Sequence, residues 1–191
     1  MLAKMPFDLC KLRFRRFLGS AYSYSHSYAE AYRIIRNAGG VGEGNGPWIS
    51  IFDGMLSRAD WANFMTGADR LSLDTHPYRC FGPQSNEPMS AQTRAPCDWA
   101  PDVNASTNAF GLTNAGEFSN AVTDCGLYLN GVGLGTRYEG TFESTAAIGS
   151  CEPWTDWENY TADMKKSIQD YALASMDALQ VRSPLVSEND D

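Results

Sequence analysis

A chain of 191 residues, 43% hydrophobic and 12% aromatic, is the size of one domain and carries ample apolar side chain for a buried core, which excludes a disordered polymer. The formal charge of −8 is unevenly spread: Lys4, Lys11, Arg13, Arg15 and Arg16 stand against Asp8 in the first twenty residues, leaving −12 on the rest. That acidic body argues against nucleic acid as a partner. No apolar run reaches the ~18 residues of a membrane span, and no signal-peptide core stands behind the basic start.

Residues 1–27 differ in composition from the rest of the chain. A basic-aromatic stretch leads into Ser20-Ala21-Tyr22-Ser23-Tyr24-Ser25-His26-Ser27, a polar run with no core period, and the segment reads as a solvated leader outside the fold. From Tyr28 the period turns helical through Ala31, Tyr32 and Ile35, with Gly39-Gly40 as the stop. Residues 48–52 read as a short buried strand, and Asp60 as the cap of a helix through Ala62, Phe64 and Met65. A second strand at 70–73 runs into Asp74-Thr75-His76-Pro77-Tyr78, so strand, helix and strand make the unit of a parallel sheet.

Residues 81–103, rich in Pro, Gln, Ser and Cys, read as a long loop. A third strand is predicted at 110–115, then a helix from Glu117 through Phe118, Ala121, Val122, Cys125 and Leu129, closed by Gly131. The last element spans 161–180, with an apolar stripe of Met164, Ile168, Tyr171, Leu173, Met176 and Leu179. Residues 181–191 form an acidic tail. The Gly131 to Gly135 run follows a helix rather than a strand, so it is not a dinucleotide fingerprint.

The five cysteines, Cys10, Cys80, Cys97, Cys125 and Cys151, are spaced for neither a zinc knuckle nor a Cys-x-x-Cys pair. Their pairing is not legible, although Cys10 is expected to be the odd one out. Two sequons, Asn104-Ala105-Ser106 and Asn159-Tyr160-Thr161, join them in pointing to an oxidising compartment.

Chemistry concentrates at two places. His76 and Tyr78 lie two apart, so an extended segment turns both toward one face, with Pro77 stiffening the approach. Glu117, in Gly116-Glu117-Phe118-Ser119, sits where a strand should meet a helix. Its spacing also fits a capping box in which Asn114 is the N-cap and Glu117 reaches back to its amide.

Taken in order, Gly46-Pro47-Trp48-Ile49-Ser50-Ile51-Phe52-Asp53-Gly54, the Asp-Thr-His-Pro-Tyr motif, Gly-Glu-Phe-Ser and the segment from Leu129 to Gly140 resemble the fungal exo-β-1,3-glucanases of glycoside hydrolase family 5, over about residues 28–180. The resemblance implies an α/β fold, an incomplete TIM (β/α)8 barrel holding only later strands and helices, about three of eight. A complete barrel needs about 250 residues. It also implies retaining hydrolysis of β-1,3-glucan from chain ends, with neither metal nor organic cofactor. Glu117 would be the nucleophile, His76 and Tyr78 would border the reactive sugar and hold that carboxylate, and Phe81 would stack on a pyranose at the acceptor-side entrance. Trp154 and Trp157 would be sugar platforms or simple packing residues.

Two departures accompany the resemblance. The acid/base signature Asn-Glu-Pro precedes the 48–52 strand in that family, whereas Asn86-Glu87-Pro88 follows His76 here, so Glu87 is read as a chance surface tripeptide and the acid/base half as absent. After residue 180 the family continues into a Trp-rich final strand, and this chain gives Val181-Arg182-Ser183-Pro184. The expected partner is therefore a β-glucan or oligosaccharide in an extracellular or cell-wall setting. The rival expectation is a truncated, inactive protein that at most binds glucan and aggregates through an unpaired barrel edge.

Overall fold

The structure is a computed structural model that describes residues 21–180; the basic start and the acidic tail lie outside the described residues. It is an α/β arrangement around a parallel sheet of three strands, β1 (Ile49–Phe52), β2 (Leu71–Thr75) and β3 (Thr113–Ala115), in the order β1-β2-β3. Ile49 pairs with Leu71 and Phe52 with Asp74, while Asp74 pairs with Asn114 and Thr75 with Ala115. The central strand β2 is buried on both faces except at Asp74, as a covered parallel strand must be.

Helix α1 (Ala21–Gly39) begins seven residues before the predicted start at Tyr28. In the sequence, Ser and Tyr alternate through the run, which hides the four-residue step of Tyr24, Tyr28 and Tyr32. Those three rings pack on the core of Ile51, Trp61, Leu71 and Leu73. Buried Arg36 ties the helix to the sheet by donating to the carbonyls of Pro47 and Asp69, each at 2.8 Å. The helix ends where Gly40, at φ 83°, returns its N–H to the Arg36 carbonyl.

Between β1 and β2 the predicted helix shrinks to one 3-10 turn, Arg58–Trp61, capped by Ser57 rather than Asp60. Asn63 and Met65 adopt φ of 61° and 49°, which ends any helical run. The predicted loop at 81–103 is partly helical. It holds α2 (Met89–Gln92), a 3-10 turn (Ala95–Asp98) and the start of α3 (Trp99–Ala109), which leads into β3. The buried side of α3 is Trp99, Val103 and Ser106, so one of its three inward positions is a serine, bonded to Thr113 Oγ1 at 2.8 Å.

The helix predicted from Glu117 to Leu129 does not form; residues 116–135 run as turns and irregular chain. After the short α4 (Glu152–Thr155), helix α5 (Ala162–Leu179) starts where the Thr161 hydroxyl accepts the Met164 N–H. Its buried seam is Ser167, Tyr171, Ser175 and Ala178, so small residues bring it close to its neighbours, while Leu173 and Met176 are exposed. Tyr171 packs with Met89 and Val122. On the outer side of β3, Leu112, Ala115, Phe118, Met176 and Leu179 line an open groove of about 410 Å³.

Candidate active site

Parallel strands carry their chemistry at their C-terminal ends, and here three such ends meet. Phe52 closes β1, Asp74 and His76 lie at and beyond the end of β2, and Gly116 and Glu117 follow β3. They open into a cleft of about 570 Å³ whose walls include Phe52, His76, Tyr78, Phe81 and Glu117. Cys80 also lines it as a buried free thiol, pushed up by burial.

Glu117 does not reach back to Asn114. Its Oε2 accepts a short hydrogen bond from the Tyr78 hydroxyl, and its side chain is 61% exposed toward the cleft. Asn114 instead donates to Asp74 Oδ1 at 2.8 Å, a cross-strand bond between register partners. The capping-box alternative therefore has no helix to cap.

Burial first, and then the bond to Glu117, push the Tyr78 phenol up to about 12, so it stays protonated and donates. His76 lies between two carboxylates. Its Nε2 is 3.2 Å from Asp74 Oδ2, and its Nδ1 is 3.8 Å from Glu117 Oε2, beyond direct hydrogen-bond reach. The Phe52 ring covers the imidazole at 4.5 Å. Phe81, 47% exposed, meets Tyr78 edge-on at 5.5 Å and presents a free apolar face.

Glu87 lies elsewhere. It is exposed in the turn that leads into α2, its N–H bonded to Ser85 Oγ and its carbonyl to Gln92, and it does not line the cleft. Among the described residues that do line it, Glu117 is the one carboxylate. Trp154 packs edge-on against Tyr138, and Trp157 is exposed away from the cleft walls. No group of three or more His, Cys, Asp or Glu among the described residues gathers as a metal cage.

Two features have no counterpart among the sequence expectations. Phe52 is legible there only as a strand residue, although its place at a strand's C-terminal end is the signal that marks it. The other is Asp124, fully buried without any motif around it. Its carboxylate accepts the backbone amides of Arg137 at 2.7 Å and Tyr138 at 3.0 Å, the Asn130 amide at 2.9 Å, and the Arg137 guanidinium at 3.5 Å. Burial opposes its charge, yet these donors outweigh burial and hold it below the usual carboxylate range. The Asp124 N–H in turn bonds Gln84, which donates to the carbonyls of Cys80 and Gly82, so the hub braces the loop that carries Phe81. A disulfide joins Cys125 to Cys151 beside it, and Cys97 is free and exposed.

With this geometry in view, the chain is 38% identical over 151 residues to the probable glucan 1,3-beta-glucosidase D of Aspergillus clavatus, an overlap of 70% of this chain and 18% of that protein. It is 31% identical over 163 residues to the glucan 1,3-beta-glucosidase of Lachancea kluyveri, covering 81% and 36%. Over 156 residues it is 31% identical to the protein of that name from Candida oleophila, covering 79% and 36%. No family model matches the chain. The chain is thus a homologue of glucan 1,3-beta-glucosidases, and it spans between 18% and 36% of the length of these three relatives.

Proposed function

We propose that the cleft is the nucleophile side of a retaining exo-β-1,3-glucosidase site within part of a (β/α) barrel. The observation that carries this is the meeting of Tyr78, His76 and Glu117 at the ends of neighbouring parallel strands, with one carboxylate oxygen accepting the Tyr78 hydrogen bond and the carboxylate facing open space. In this reading Glu117 attacks the anomeric carbon, the Tyr78 hydroxyl orients the attacking carboxylate, and Phe81 stacks on the acceptor-side sugar. Phe52 and His76 wall the donor-side sugar.

Retention needs a second carboxyl group about 5 Å from the first, protonated to assist the leaving sugar. Among the described residues the cleft walls offer none, and Glu87 lies off them. That observation favours a second reading for these residues acting alone, in which they hold a glucan end without turning it over. The disulfide fits an oxidising, extracellular setting. The groove beside β3 is where a barrel's next strand would pair, and it would drive self-association of the chain alone.

A 2-deoxy-2-fluoro-β-glucosyl fluoride separates the readings, because fluoride departs without a proton donor. A bond forms between a Glu117 oxygen and C1 as the C1–F bond breaks, and mass spectrometry should place the sugar on Glu117, with no label in Glu117→Gln. Laminarin should remain intact. Label elsewhere, or laminarin hydrolysis abolished by Glu87→Gln, would overturn the assignment.

A further inference from the structure

Asp74 does not itself line the cleft, yet its carboxylate stands directly behind His76, which does. One of its oxygens accepts from Asn114 Nδ2 at 2.8 Å and the other faces His76 Nε2 at 3.2 Å, so both are committed. Space for it exists because residue 116 is glycine. A Cβ there would lie 2.4 Å from Asp74 Oδ1 and 2.5 Å from Oδ2, so the carboxylate would have to shift from its two partners. The Gly116 backbone is fixed in turn, since its N–H bonds the Thr75 carbonyl at 3.2 Å.

A carboxylate can only accept, so Nε2 must carry the proton that lies between it and the ring. In the neutral ring this leaves Nδ1 as a lone pair 3.8 Å from Glu117 Oε2. Glu117 then receives its hydrogen bond from Tyr78 and none from His76, which leaves its second oxygen unencumbered. Nδ1, meanwhile, is free to accept a hydrogen bond from a hydroxyl in the cleft. With the opposite tautomer Nδ1–H would point at the carboxylate and that acceptor would be lost.

We infer that Asp74 is a positioning residue of this cleft: it fixes the tautomer and ring plane of His76 so that Nδ1, beside the Glu117 carboxylate, is held as an acceptor for a hydroxyl in the cleft, and glycine at 116 is required to seat it. The catalytic meaning rests on Glu117 being the nucleophile, but the positioning is testable without any turnover. The chain has two histidines, and His26 is exposed on α1, so it serves as an internal reference.

Ring nitrogen-15 shifts, read in the full chain at a pH where both rings are neutral, should show His76 as a single Nε2–H tautomer and His26 as the averaged mixture. Asp74→Ala should move His76 to the averaged values, and Gly116→Ala should do the same by displacing the carboxylate without removing it. Asp74→Asn should instead reverse the tautomer to Nδ1–H, since its one oxygen is taken by Asn114 Nδ2 and its amide N–H then donates to Nε2. Labelling of Glu117 by the fluoroglucosyl fluoride should slow in the Ala variants and in Asp74→Asn. A His76 ring that already averages in the parent chain, or one unmoved by either Ala substitution, overturns the inference. Should Glu117 take no label while the tautomer results hold, the glucosidase reading fails and the positioning role stands.

Discussion

Residues 21–115 are held by rings and branched side chains: Trp61, Leu71, Leu73 and Ile51 close a core under α1, and strand pairing continues past β1 with the Asp53 N–H on the Asp74 carbonyl at 2.9 Å. Residues 116–160 contain little regular structure. They gather around the buried Asp124 carboxylate and the Cys125–Cys151 bridge, with Tyr138 and Trp154 as a small apolar pad. The cleft lies where the two meet, its His76, Tyr78 and Phe52 coming from the sheet side and Ser119, Ala121 and Leu129 from the loop side. Apolar burial fixes the strand ends that hold the chemistry, while a polar hub and a covalent tie shape the wall opposite them.

The sharpest way to break this contrast is at Trp61, 1% exposed, with Nε1 donating to the Asp53 carbonyl at 3.0 Å. Trp61→Ala should cost about 4 kcal/mol, a large part of a domain's typical ~5 to 15 kcal/mol. Urea unfolding should show that loss with the disulfide intact or reduced. A loss under about 1 kcal/mol would mean the sheet side does not rest on this core.

Next in size is the bridge. Closing a separation of 26 residues restrains the unfolded chain by about 3.5 kcal/mol on the chain-entropy account. In Cys125→Ser/Cys151→Ser, amide exchange should accelerate across 124–151 while β1 and β2 stay protected. Equal loss of protection in both regions would erase the distinction between them.

The same contrast explains how much of the molecule is legible in the sequence. β1, β2 and α5 are legible because their signals are local: an apolar run, a motif at a strand end, an apolar stripe. The cleft residues are legible for the same reason, since His76 and Tyr78 share a face by strand period. The segment from Glu117 to Leu129 misleads because Val122 and Cys125 are buried three apart, a helical spacing, in a chain where the Asp124 N–H bonds Gln84 and the Ala121 N–H turns onto Ser119 Oγ. Asp124 binds groups 13 and 14 residues away, and no local pattern announces that. Helix α3 stays hidden in the sequence because a serine occupies one of its three inward positions and breaks the apolar period.

Acid provides a third test, of smaller effect. Asp124 is held below its ordinary value near 3.8, so its stabilising contribution is complete above that value and is lost as pH falls through the lower folded one. Stability of the parent chain should therefore drop more steeply below about pH 4 than that of Asp124→Asn. The variant is expected to be weaker at pH 7, because an amide cannot accept from all of these donors at once. Urea midpoints between pH 7 and pH 3 measure the difference, and parallel acid limbs in the two proteins would show that Asp124 is not the hub.

The smallest effect is expected where the loop side hands over to α5. Thr161 accepts the Met164 N–H at 3.1 Å, satisfying one of the four amides that a helix leaves unpaired at its start. Thr161→Ala should cost about 1 kcal/mol, and Thr161→Ser, which keeps the acceptor, should cost much less. The location of that loss matters more than its size. Tyr171, about two and a half turns along α5, is fully buried against Met89 and Val122, so the helix is held along its length by packing. Fraying should therefore stop within the first turn, and amide exchange in Thr161→Ala should rise at residues 162–165 without reaching Tyr171. Exchange rising along the whole helix would mean that the cap, and not the Ser167–Tyr171–Ser175 seam, is what holds α5 against the rest of the molecule.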